Sequence, residues 1–219
     1  MSNFLQLCQD LRQEAGFTGS GPTSVANQTG QYSKVVKWVN SAYMDVITEH
    51  NNWDFLWGQT EIDTVIGTSV YSHTVLVDRW KDAVIHEKAV GHTDDKFMVY
   101  LPYQEFYSRF ELLHTETGRP AYFTERPDGK VEVHPVPDKI YTVNADYYQT
   151  PVALVANTDL PLIPTKFHDV ILYKALAKAT ANSEDFNSYQ YAERQADAIL
   201  GRMERDLLPT MVITPRPIA

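Results

Sequence analysis

Apolar residues recur at helical spacing near both ends of the chain. There they return every third or fourth position, which is the period of an amphipathic helix with one buried face. The N-terminal stripes run from Phe4 to Leu11 and from Val35 to Val46, and the C-terminal stripes from Phe167 to Ala179 and from Ala192 to Met203. This spacing predicts helices in residues 1–56 and 164–208.

Between the helical blocks, apolar residues alternate with polar ones, as they do along strands that bury one face. The alternation is clearest from Thr60 to Ile66 and from Ile140 to Tyr148. The sequence Pro127-Asp128-Gly129 is a turn signal, because proline presets the first turn residue and glycine accepts a positive φ. Helical spacing returns briefly between Pro102 and Phe110, which predicts one short helix among the strands.

Together these patterns predict an α+β fold in three parts. Residues 1–56 and 164–208 form a discontinuous helical bundle domain. Residues 57–163 form an inserted antiparallel, β-rich and sandwich-like domain. Residues 209–219 form an extended C-terminal tail, which begins at Pro209 because proline lacks the amide hydrogen that would continue a helix.

Charge narrows the choice of partners. The 219-residue chain has a net charge of −9, and residues 57–163 carry nine basic and 16 acidic side chains, so most of the excess lies in the β-rich block. The bulk charge therefore argues against a basic nucleic-acid-binding module. The single cysteine, Cys8, excludes an intrachain disulfide. We expect no signal peptide and no membrane-spanning helix.

The sequence offers no firm catalytic or cofactor-binding motif. Cys8 lies on the apolar face of the first helix, which favours a buried hydrophobic role over a nucleophilic one. His86, His92, Asp94 and Asp95 lie close enough along the chain for a metal site, but a strand followed by a solvated turn accounts for them without one. We therefore predict that the protein is not an enzyme and has no cofactor and no metal.

An aromatic cluster lies where the helical pattern changes to the strand pattern. Trp53, Phe55 and Trp57 could form a platform that stacks on a sugar or a nucleobase. Their place at the transition favours a core joint between helix and sheet, to which Trp38 of the preceding helix also belongs. We predict the core joint.

The order of several short motifs resembles a tailed-bacteriophage family, the head-to-tail adaptor or neck-ring proteins related to podovirus tail tubular protein A. No single motif is diagnostic, and the resemblance extends from about Leu5 to Leu207. The motifs are Val35–Tyr43 (VVKWVNSAY), Asn52–Trp57 (NWDFLW), Gly118–Phe123 (GRPAYF), Pro127–Gly129, Pro135–Asp138 (PVPD), Tyr147-Tyr148, Leu160-Pro161 and Pro164–His168.

The resemblance implies a structural protein of the virion neck, assembled in the cytoplasm of the host bacterium. It implies a ring, usually of twelve copies, that joins the portal protein of the head to a tail tube, nozzle or tail-completion protein. Genomic DNA would pass through an axial channel without sequence-specific binding, and we expect an acidic or neutral channel surface. The alternative from another class is a carbohydrate-binding β domain on a helical stalk.

The C-terminal tail is the predicted portal-docking segment. A disordered end is the simpler interpretation, but consecutive apolar residues are rare in a purely solvated tail. The resemblance implies that this segment reaches the portal, where Arg216 would contact a carboxylate. The predicted docking residues are Pro209, Met211, Val212, Ile213, Pro215, Arg216, Pro217 and Ile218.

Overall fold

The chain folds into an α+β structure that divides into two compact units. A computed structural model describes residues 2–110, 116–183 and 185–209. The first unit combines residues 1–56 with residues 151–219, and the second comprises residues 57–150. The first unit is helical and the second is built around a sheet. The predicted α+β class is confirmed.

Five α-helices lie within the described residues, four of them in the helical unit. Asn3 begins the first helix with a capping box, in which its side chain accepts from the Gln6 amide and the Gln6 side chain accepts from the Asn3 amide. Asp185 caps the last helix by accepting from the Ser188 amide at 3.1 Å. The helices are α1 (Phe4–Glu14), α2 (Gly30–Thr48), α3 (Tyr103–Phe110), α4 (His168–Asn182) and α5 (Phe186–Leu207).

Helix α4 lies at the centre of the helical unit and contacts α1, α2 and α5. It buries side chains around most of its circumference, as a helix enclosed by others must. Three of the buried residues, Ala175, Ala177 and Ala179, are small enough to let neighbouring helices approach closely. Two ion pairs flank this packing, from Lys178 to Asp45 of α2 at 2.6 Å and from Lys174 to Glu193 of α5 at 3.3 Å.

Residues 151–163 belong to the helical unit, although their sequence predicts that they continue the β-rich domain. The Asn40 side chain of α2 donates to the Leu154 carbonyl and accepts from the Leu154 amide, both at 3.1 Å. The Phe4 amide donates to the Asp159 carbonyl at 2.9 Å. These hydrogen bonds satisfy irregular backbone at the helices, so the segment belongs with them.

The sheet unit contains all nine strands found among the described residues. They are β1 (Trp57–Asp63), β2 (Val70–Tyr71), β3 (Val77–Glu87), β4 (Lys96–Tyr100), β5 (Thr117–Gly118), β6 (Tyr122–Glu125), β7 (Val131–His134), β8 (Val136–Pro137) and β9 (Tyr141–Gln149). Seven of them form one sheet in the order β1-β9-β3-β4-β6-β7-β2, and β5 pairs with β8 in a separate two-stranded ribbon.

The sheet unit is mostly antiparallel, as predicted, but two strand pairs are parallel. Strand β4 pairs with β6 in parallel, with Val99 opposite Tyr122, and β5 pairs with β8 in parallel. A parallel pair needs a crossover connection rather than a tight turn. The short helix α3 lies in the connection from β4 to β6 and provides that crossover.

One apolar core unites strands that are far apart in the sheet order. Tyr71 of β2 and Tyr147 of β9 belong to the same buried cluster, so the sheet curls around its own apolar face. Trp80 lies within it, with ring contacts to Phe123 and Tyr147. Gly58 of β1 leaves room for the Tyr147 ring, since a Cβ atom at this glycine would lie 2.8 Å from a ring carbon.

Replacing Asn40 with alanine should destabilise the helical unit. The substitution removes two hydrogen bonds and leaves the Leu154 amide and carbonyl without these partners, which costs about 1–3 kcal/mol. Urea unfolding followed by far-UV circular dichroism measures the loss. The exposed Asn187→Ala variant is the control, and we expect its unfolding free energy to change by less than about 0.5 kcal/mol. Equal stability of the two variants would contradict the structural role of Asn40.

The Cys8 thiol should be almost unreactive in the folded protein. Its side chain is fully buried on α1, and burial raises the pKa of the thiol to about 12. The nucleophilic thiolate is therefore scarce at neutral pH. We expect a thiol-specific disulfide reagent to label the native chain at least about a hundredfold more slowly than the chain in denaturant. Rapid stoichiometric labelling of native protein would show that the first helix does not pack as described.

Candidate functional site

The predicted portal-docking tail lies almost entirely outside the described residues. Helix α5 ends at Leu207, and the Leu208 amide donates to the Glu204 carbonyl at 3.1 Å. Pro209 is the last described residue. The other predicted docking residues, Met211, Val212, Ile213, Pro215, Arg216, Pro217 and Ile218, lie beyond it.

Trp53 lies in the core of the helical unit. Its indole is fully buried, stacks on Phe55 at a ring-centroid distance of 5.6 Å and meets the edge of His50. His50 in turn contacts a carboxylate oxygen of Glu204 on α5 at 3.0 Å. The aromatic side chains that follow α2 therefore help to hold α5 in place.

The other two tryptophans of the predicted core joint are not fully buried. Trp57 begins β1, is 46% exposed and carries the Lys81 ammonium 4.0 Å from its ring centroid. Trp38 is half-buried on α2, where its ring lies 6.3 Å from that of Phe17. Of the predicted joint, Trp53 thus lies in the core, whereas Trp57 presents an indole with a cation against it.

The loop between β3 and β4 is held in place by Arg119. The guanidinium contacts the Asp94 carboxylate at 2.9 Å and donates to the Ile85 carbonyl at 3.0 Å. The hydrogen bond from Arg119 is the main reason that the pKa of Asp94 lies below its ordinary value. Arg119 therefore ties the loop to the end of β3.

This loop brings two histidines and an aspartate together. A single carboxylate oxygen of Asp95 lies 3.2 Å from Nδ1 of His86 and 3.4 Å from Nδ1 of His92. The two imidazole centroids are 4.5 Å apart. The sequence predicts only a solvated turn here. The missed signal is the hairpin register, which pairs Ile85 with Lys96 and so places His86 beside Asp95.

The three side chains border a groove on the sheet unit. Its volume is about 670 Å³, and its lining comes mainly from β1, β3 and β9. Gln59, Thr60, Glu61, Thr142 and Asn144 complete its polar wall. The groove leaves His92 and Asp95 accessible from outside.

Strand β4 carries two exposed apolar side chains on one face. Phe97 is 81% exposed, and Val99, two residues further along the same face, is 52% exposed. The opposite face of the strand buries Met98 in the sheet core. Contiguous apolar exposure of this kind marks surfaces that contact other macromolecules.

Comparison with known proteins identifies a family. Residues 2–215 match the model of the SU10 adaptor protein family. No curated protein matches the chain significantly. Among the described residues, no helix is both long and apolar enough to cross a lipid bilayer. Because the family match covers nearly the whole sequence, the chain belongs to the SU10 adaptor protein family, a family of bacteriophage head–tail adaptors.

Proposed function

We propose that this protein forms a ring that joins the portal of the phage head to the tail and leaves an axial channel for DNA. The observation that carries the proposal is the family match over residues 2–215, which spans both structural units. A virion adaptor holds its neighbours together and performs no chemical reaction. This role agrees with a sequence that contains no catalytic motif.

Two features of the described residues support a role in assembly. Each unit has its own buried core, so one chain presents two separately built surfaces to different neighbours. The exposed Phe97 and Val99 on β4 provide apolar area of the kind found in protein–protein interfaces.

The finer parts of the proposal follow the motif resemblance. The ring has twelve copies and lies in the virion neck. It contacts the portal above and a tail tube, nozzle or tail-completion protein below. The chain is also related to podovirus tail tubular protein A. DNA ejection through the ring then needs a channel wall that does not bind the duplex. The net charge of −9 per chain, repeated around an axis, favours such a wall.

The predicted platform of Trp53, Phe55 and Trp57 gives the carbohydrate-binding alternative little support. A sugar platform needs open ring faces, but Trp53 is fully buried and Phe55 stacks against it. At Trp57, the Lys81 ammonium covers one face of the ring. The adaptor role is therefore the function that the chain supports best.

The direct test adds the purified full-length chain to portal-bearing heads that lack it and images the particles by electron cryomicroscopy. We expect a closed ring below the portal, with density for both units in each subunit. Native mass spectrometry of the released ring gives the number of copies. Particles that remain bare at a saturating concentration of the chain would overturn the proposal. The test uses assembled heads because an adaptor can stay monomeric until its neighbour is present.

Deleting residues 209–219 should weaken attachment to the portal. Eleven residues in extended conformation reach about 35 Å, far enough to contact a neighbouring protein. Helix α5 ends before the deletion, so the described fold stays intact. We expect binding to portal-bearing heads to fall at least about tenfold, measured by cosedimentation. Arg216→Ala tests the proposed contact with a portal carboxylate, for which a loss of about 1–3 kcal/mol is expected. Unchanged cosedimentation of the truncated chain would exclude the tail as the anchor.

The isolated chain should not bind duplex DNA tightly. Its acidic charge repels the phosphate backbone, which supplies most of the free energy of non-specific binding. At physiological salt we expect a dissociation constant weaker than about 10⁻⁴ M, measured by fluorescence anisotropy with a labelled duplex. Micromolar binding that weakens steeply with added salt would reveal a basic surface incompatible with the proposed channel.

A further inference from the structure

We propose that His86, His92 and Asp95 form a binding site for a divalent transition-metal ion of the zinc class. The three side chains each offer one ligand atom, and these atoms all lie within 4.8 Å of one another. Two imidazoles and one carboxylate form a donor set that zinc uses when three ligands come from the protein. The site lies within the sheet unit and does not depend on the proposed adaptor role.

Two of the three separations between ligand atoms match tetrahedral coordination. Zinc binds histidine nitrogen and carboxylate oxygen at about 2.0–2.2 Å, so two ligands at the tetrahedral angle lie about 3.4 Å apart. The Asp95 oxygen lies 3.2 Å from Nδ1 of His86 and 3.4 Å from Nδ1 of His92. All three ligand atoms lie within 4.8 Å of one another, so an ion can bind between them once the side chains rotate to direct these atoms at it.

The buried histidine supplies a second and independent observation. The His86 side chain is only 8% exposed, and within the described part of the chain its Nδ1 atom makes no hydrogen bond. The Asp95 oxygen is close to Nδ1 but is not in hydrogen-bond geometry. A buried nitrogen without a hydrogen bond is costly unless something else satisfies it. A metal ion satisfies it directly.

The surrounding structure holds the three ligand side chains in place without a metal ion. His86 is fixed within β3, while His92 and Asp95 lie in the loop that Arg119 ties to the same strand. Holding ligands in place from outside the coordination sphere strengthens metal binding. Arg119 is thus a positioning residue for the site.

The fourth coordination position opens toward solvent, because the His92 side chain is 75% exposed and the groove beside it is open. Water completes the tetrahedron there. The chemistry selects zinc over magnesium or calcium, because those harder ions prefer sites built entirely from oxygen. Bound metal would connect the β3–β4 loop to β3 and stabilise the sheet unit.

The test is isothermal titration calorimetry of the untagged full-length chain with zinc chloride at neutral pH. We expect one zinc ion per chain with micromolar affinity or tighter. Cobalt(II) added to the metal-free chain should give the visible absorption of a four-coordinate ion. A hundredfold excess of zinc over its dissociation constant should raise the melting temperature by about 5 °C or more.

Two ligand variants and two controls decide the outcome. His92→Ala and Asp95→Asn change accessible side chains, and each should lower zinc affinity at least about tenfold. His50→Ala removes a histidine that also faces a carboxylate but, among the residues that the structure describes, has no third ligand beside it. Asp82→Asn removes an exposed charge from β3. Both controls should keep full affinity. The absence of saturable zinc binding, or equal affinity in all four variants, would overturn the proposal.

Discussion

The close packing of α4 against three other helices is the constraint on which the helical unit depends. The small residues of α4 allow α1, α2 and α5 to pack closely against it. Ion pairs from α4 hold α2 and α5 at the edges of this packing. A larger side chain at Ala175 or Ala177 would push a neighbouring helix outward. Since α1 and α2 come from one end of the sequence and α5 from the other, this packing also brings the two ends of the chain into one unit.

The segment that leads from the sheet back to the helices is stabilised by contacts of its own. Residues 151–163 have little regular structure, so their backbone polar groups find partners on side chains and helix ends. Asn40 provides one such contact at Leu154, and Asn157 provides another by accepting from the Val25 amide at 2.7 Å. The second contact also fixes the loop between α1 and α2, so one returning segment organises two irregular parts of the unit.

The sheet unit has a buried apolar core and an outer surface that carries several accessible groups. Its curled sheet buries one face in a core centred on Trp80, while its outer surface carries the apolar β4 residues, the polar groove and the His86–His92–Asp95 cluster. The core makes the unit rigid, and the outward surface is the part that other molecules can contact.

The local elements follow from the sequence alone, because their signals depend on neighbouring residues. The α1 stripe from Phe4 to Leu11, the short helix at Tyr103–Phe110 and the strand at Tyr141–Gln149 all occur where their spacing predicts. Tertiary structure alone decided what depends on distant residues. The parallel pairing of β4 with β6 requires a crossover whose direction local spacing does not encode. Likewise, Trp53 is buried and Trp57 exposed only because of what packs on them, and His86 meets His92 and Asp95 only through the hairpin register.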